Sequence, residues 1–262
     1  MSYQSCSTYV GIGYSVSAGV SAGLEQRLYS TQDAPQTGYH VLSSLPHLAL
    51  YAGSDADQSS YHKPTYLSVN VSSITPEYAF MPDAFLKPNR RAQPFVGDAA
   101  AVEEDVKDAF FATVGEKFPE DIRIAVLSGS AFSKQISHHG VVGFSINRKE
   151  LGLVSDVVVR AAQKDQLLLT IGHEIGHVMT KRLMRAHDEE AKAFAFSRAW
   201  MQAIKKENIA GLRGVIVLDN PARNGLHDVA SAFVWRMIDA GRDALQLYWD
   251  LVCGTAGVPH VI

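Results

Sequence analysis

Cysteine is nearly absent. Cys6 and Cys253 are the two in 262 residues and lie far apart, which argues against a disulfide framework and fits a reducing compartment. An excess of one charge is missing as well: Lys plus Arg number 24 against 27 Asp plus Glu, and the net charge of −3 gives no electrostatic case for nucleic acid or an anionic membrane as partner. No apolar run is long enough to span a bilayer, and the N-terminus lacks the basic start and unbroken hydrophobic stretch of a secretory signal, so a cytoplasmic protein is expected. Internal repeats and low-complexity tracts are also missing. What is present, 47% hydrophobic and 19% charged residues, describes an ordered globular chain with ample material for a core.

Chemistry is concentrated in residues 167–180, LLLTIGHEIGHVMT. His173, Glu174 and His177 form an H-E-x-x-H pattern inside a continuous uncharged stretch that reads as one helix. Positions i and i+4 share a helix face, so His173 and His177 can offer two imidazole nitrogens to one cation. Neutral imidazole suits zinc, and two histidines plus a third ligand leave one tetrahedral position open, which is the mark of a catalytic site. Such a cation acidifies water, and Glu174 is placed to accept the proton. The uncharged neighbours Thr170, Ile171, Gly172, Ile175, Gly176 and Val178 allow this part of the helix to be buried, where unpaired His and Glu would be costly. Leu168, Ile171, Ile175 and Val178 form a core face by helical spacing, with Gly176 on the opposite side admitting substrate or a strand.

The fold expected is α+β. Residues 1–94 are rich in Ser, Gly, Tyr, Pro and short alternations such as residues 66–71, predicting a β/loop-rich N-terminal region. The proline-bearing run 81–94 reads as a connector to a second domain, residues 95–262. In that domain Asp98 caps a helix carrying Val102, Val106, Phe110 and Val114 and ending at Gly115. Strands follow at residues 122–126 and 142–146, separated by a loop through 128–130. A helix is expected over 150–162, the motif helix from an Asp165 cap to about residue 184, and a further helix over 188–206 with Asp188 as its cap.

The order helix, strands, H-E-x-x-H helix, acidic helix, together with Glu-Glu-Ala-Lys-Ala-Phe-Ala at 189–195, resembles the gluzincin branch of zinc metallopeptidases, including the minigluzincin and ImmA/IrrE-like peptidases. The resemblance covers residues 98–206 and implies a zincin-like domain, a glutamate on the second helix as third zinc ligand, and a peptide or protein substrate. Within the acidic cluster Glu190 is favoured as ligand, because it lies furthest along the returning helix, and Glu189 is second. Strict alignment on A-x-x-F-A instead puts Asp188 at the family position, so the choice stays open. The metzincin branch is disfavoured by Thr180 and Leu183, where it would have Gly and His.

His227, in Asn-Gly-Leu-His-Asp at 224–228, resembles the N-G-x-x-H element of thermolysin-like gluzincins with spacing shifted by one, and the resemblance makes it a candidate oxyanion donor. The pair His138-His139 and the linker His187 read as loop residues. The expected function is therefore peptide-bond hydrolysis with one Zn2+ held by His173, His177 and Glu190, with Glu174 as general base. The alternative is a non-catalytic zinc-binding regulator that keeps the scaffold and uses the N-terminal region, residues 1–94, to contact a partner; in the peptidase the same region is a candidate inhibitory prosegment.

Overall fold

A computed structural model describes residues 80–136, 140–218 and 229–259. The expectations for residues 1–79, for His138 and His139 and for His227 fall outside the described residues. What is described is mixed α+β, helix-rich, with two small sheets. Among the described residues no helix is long and apolar enough to cross a membrane.

The first helix, α1 (Glu103–Val114), grows out of a short 3-10 turn (Ala99–Val102), with the Asp98 side chain accepting from Ala100 N and Gly115 closing the far end in the left-handed region at φ 81°. Its buried stripe is Val106, Ala109, Phe110 and Val114, the spacing the sequence announced. Strands β2 (Ile122–Leu127) and β3 (Gly143–Ile146) also form where expected. Residues 128–130 are not a plain loop: the Ser128 hydroxyl accepts from Ala131 N and starts α2 (Gly129–Gln135), because Ser before a short amphipathic run is a capping signal.

The helix expected over 150–162 is corrected. A 3-10 turn (Lys149–Leu151) leads into β4 (Ser155–Arg160), whose Val157, Val158 and Val159 are buried on both faces of the sheet. Three consecutive β-branched residues prefer a central strand to a helix. β4 pairs in parallel with β2 on one side and antiparallel with β3 on the other, giving the order β2-β4-β3. A second ladder joins β1 (Phe95–Val96) to β5 (Ala162–Gln163).

The motif helix, α3 (Lys164–Val178), packs on β4 and β3, and α4 (Ala186–Glu207) packs on α3, with α5 (Val229–Asp239) and α6 (Ala244–Val252) on its far side. Asp165 is not the cap of α3: it sits fully buried in the first turn and pairs with Arg90, while Gln163 occupies the cap position. Nor does α3 reach residue 184. It ends at Val178 because its last carbonyls find other donors: Asn147 Nδ2 gives hydrogen bonds to His177 O at 2.6 Å and to Thr180 O at 2.8 Å. That early stop leaves room for the chain to reverse before α4.

The proline-bearing stretch packs into the core at its start. Phe80, Phe85 and Leu86 are buried, Leu86 bridges to Ile216, and Arg90 ties Asp83 to Asp165. The two glycines of the motif admit a neighbouring helix, not a substrate or strand. A Cβ at Gly172 would collide with the Trp200 ring, and one at Gly176 would lie 2.9 Å from Ala193 Cα. Trp200, wholly buried, also donates from Nε1 to Leu168 O at 3.0 Å, which fixes the α3–α4 contact.

Candidate metal centre

α3 is buried almost all round, so His173 and Glu174, at 2% and 6% exposure, are held in the interior by the apolar residues flanking them. One turn separates His173 from His177, and the turn-back into α4 brings Glu190 opposite both. His173 Nε2 and His177 Nε2 each lie 3.9 Å from Glu190 Oε2, and the three donor atoms fall within 4.8 Å of one another. A tetrahedral zinc with ligand bonds of roughly 2.0–2.2 Å needs donors about 3.4 Å apart, so the two His–Glu pairs would close by about 0.5 Å and the widest pair by up to about 1.4 Å on binding. Two imidazoles and a carboxylate are also the right donor chemistry for a borderline divalent cation. The His173–His177–Glu190 group could thus bind a metal ion.

The choice among the three acidic residues follows from where each side chain goes. Glu189 turns to the other face of the His177 ring, its Oε1 2.9 Å from His177 Nδ1, and its Oε2 accepts from Leu183 N at 2.8 Å. Asp188 accepts from Val258 N at 2.7 Å and pairs with Arg185, tying the C-terminal segment to the start of α4. It is not the helix cap, which is Arg185, and it is not in the converging group. His187 is not in that group either.

Electrostatically the two histidines differ. Burial, reinforced by the neighbouring His177, holds His173 well below the usual imidazole value. Burial works against charge on His177 too, but the Glu190 charge and the hydrogen bond to Glu189 overcome it and lift that ring to about 9. Glu189 resists its own burial through His177, Lys192 and the Leu183 amide and falls to about 2. Glu174 goes the other way, since burial raises it against the opposing pull of His177 and a hydrogen bond from Ser145.

Ser145 belongs to β3, whose alternation places Phe144 and Ile146 in a small cluster with Phe132, Ile136 and Val158, leaving Gly143 and Ser145 toward α3. A Cβ at Gly143 would lie 3.2 Å from Glu174 Oε1 and 2.6 Å from Thr170 Cγ2, so glycine there lets the strand lie directly against the glutamate. Among the described residues β3 is an edge of its sheet.

Sequence reasoning brought together His173, Glu174, His177 and Glu190. It missed the residues that seat them. Phe80 stacks on His173 with ring centroids 4.4 Å apart, and Phe194 meets the same ring edge-on at 4.9 Å. Gly143, Ser145, Asn147 and Lys192 were missed as well. A signal available for Lys192 was its place three and four residues before Ala195 and Phe196, on the same buried face of the helix. Comparisons with family models, with curated proteins and with solved structures return no match.

Proposed function

We propose that the chain is a zinc-dependent peptidase with a gluzincin-like zincin domain, in which His173, His177 and Glu190 hold the ion. The observation that carries this reading is the convergence of both Nε2 atoms on Glu190 Oε2, with Glu174 on the same helix beside them. Bound there, zinc would supply a Lewis acid that acidifies water and polarises a carbonyl. Glu174 takes the proton from the attacking water and returns it to the departing amine nitrogen, a task favoured by the upward shift that burial gives its carboxyl. Buried surroundings limit competing water, and the Ser145 hydrogen bond orients the carboxyl.

A peptide substrate is supported by β3, an edge among the described residues that lies against Glu174. An extended chain can pair with such an edge through backbone hydrogen bonds.

The test is metal analysis followed by cleavage of a mixed peptide library. One zinc per chain and cleavage that disappears in Glu174→Gln, with zinc retained, is the expected result. Zinc without cleavage in the wild type would favour the non-catalytic regulator, and no zinc would remove the site.

A further inference from the structure

We propose, building on the zinc reading above, that Glu189 is a positioning residue for the ligand His177, and that the buried ammonium of Lys192 holds Glu189 in that role. A carboxylate can only accept hydrogen bonds, so Glu189 Oε1 at 2.9 Å requires the proton of a neutral His177 to sit on Nδ1. The lone pair is then on Nε2, the atom facing Glu190 and the site. Glu189 thereby selects the tautomer that can ligate and fixes the plane of the ring.

The second oxygen of Glu189 is equally committed. It accepts from Leu183 N at 2.8 Å and pairs with Lys192 Nζ at 2.9 Å. Lys192 is wholly buried, and its remaining reach is toward Lys181 O at 3.1 Å, His177 O at 3.3 Å and Thr180 Oγ1 at 3.4 Å. Thr180 Oγ1 in turn accepts from Tyr248 of α6 at 3.2 Å. One ammonium therefore joins the carboxylate that holds the His177 ring to the main-chain oxygen of His177 itself, clamping the residue at both ends. A lysine buried for packing alone would find an apolar replacement cheaper, since desolvating its charge costs several kcal/mol. Here that charge also offsets a second carboxylate next to the ligand Glu190. The adjacent glutamates thus face opposite sides of one imidazole: Glu190 meets Nε2 and Glu189 meets Nδ1.

The test uses the full chain and reads zinc affinity by competition with a chromophoric chelator, together with the visible absorption of the cobalt-substituted protein. Glu189→Gln keeps size, but its single carbonyl oxygen can accept either from Leu183 and Lys192 or from His177 Nδ1–H, not at both ends of the side chain. It is expected to lower zinc affinity by about 10–100-fold while keeping one ion per chain and a shifted cobalt spectrum. Glu190→Gln, which removes a ligand, is expected to lose more affinity and change the intensity of that spectrum. Should the lone ammonium prevent Glu189→Gln from folding, Glu189→Gln/Lys192→Met removes both charges and is expected to show the same affinity loss. Zinc affinity equal to wild type in a folded Glu189 variant, with only the unfolding midpoint lowered, would overturn the assignment and leave the zinc reading intact. A wild type that binds no zinc would overturn both.

Discussion

One helical turn separates His173 from His177, yet their surroundings share little. His173 lies between the parallel ring of Phe80 and the edge-on ring of Phe194, and its Nδ1 is buried without a hydrogen-bond partner among the described residues. His177 has a carboxylate on Nδ1, and both Asn147 and Lys192 on its carbonyl. Packing can fix the plane of a ring but is indifferent to which nitrogen carries the proton, whereas a carboxylate specifies both. The candidate site thus combines one histidine seated by shape with one seated by charge. The half seated by shape should be sensitive to lost volume, and the half seated by charge to lost hydrogen bonds.

The largest effect is expected on the aromatic side. Phe80→Ala and Phe194→Ala each remove a buried ring, at a cost of about 3–5 kcal/mol in denaturant unfolding, and weaken zinc binding because the His173 ring is freed to turn. Phe80→Leu, which retains most of the volume, should recover much of the stability. If Phe80→Ala unfolds within 1 kcal/mol of wild type (roughly the cost expected of a surface change), packing does not seat His173 and the contrast breaks.

Next comes the helix contact beneath both ligands. Gly176→Ala would drive a methyl into the backbone of α4 at Ala193, forcing the two helices apart directly below Glu189 and Glu190. A loss of about 1–3 kcal/mol is expected, with weakened zinc binding, since the third ligand moves with α4. Full stability with unchanged zinc affinity would show that α4 can shift freely without moving its glutamates.

On the polar side, Asn147→Ala strips one donor from both His177 O and Thr180 O, for an expected loss of about 1–3 kcal/mol. Because Lys192 still reaches His177 O, the zinc affinity should fall less than in a Glu189 variant. An equal or larger fall would shift the main support of His177 from its ring to its carbonyl.

The same contrast explains what could be read from sequence. That His173 and His177 share a helix face was legible because i and i+4 on a helix need no knowledge of tertiary structure, and the Asp98 cap of the turn before α1 and the Gly115 end of α1 were legible for the same reason. Glu190 was legible only as one of three neighbouring acids, since its orientation depends on where α3 stops. That stop was misread: Asn147, thirty residues earlier and on the far end of β3, takes the carbonyls that a longer helix would have used. The strand at β4 was mistaken for a helix because short apolar stretches look alike in both, and only its Val157–Val159 core spoke for a strand. Phe80 was invisible as a site residue, its partner being 93 positions away.

The smallest effect should come from a place where a local rule operates at a distance from both ligands. Ser128 caps α2, which packs through Phe132 and Ile136 on the face of β3 and β4 turned away from α3. Ser128→Ala forfeits one capping bond, costing about 0.5–2 kcal/mol of stability. Phe144 and Ile146 separate that cap from Gly143 and Ser145, which alternate with them toward Glu174. Zinc affinity should therefore be unchanged, and a chelator titration of the variant checks this directly. Weakened zinc binding would mean that strain at the outer face of β3 is transmitted through the pleat to the site, so that the edge strand, and not only the two helices, sets the geometry of the ligands.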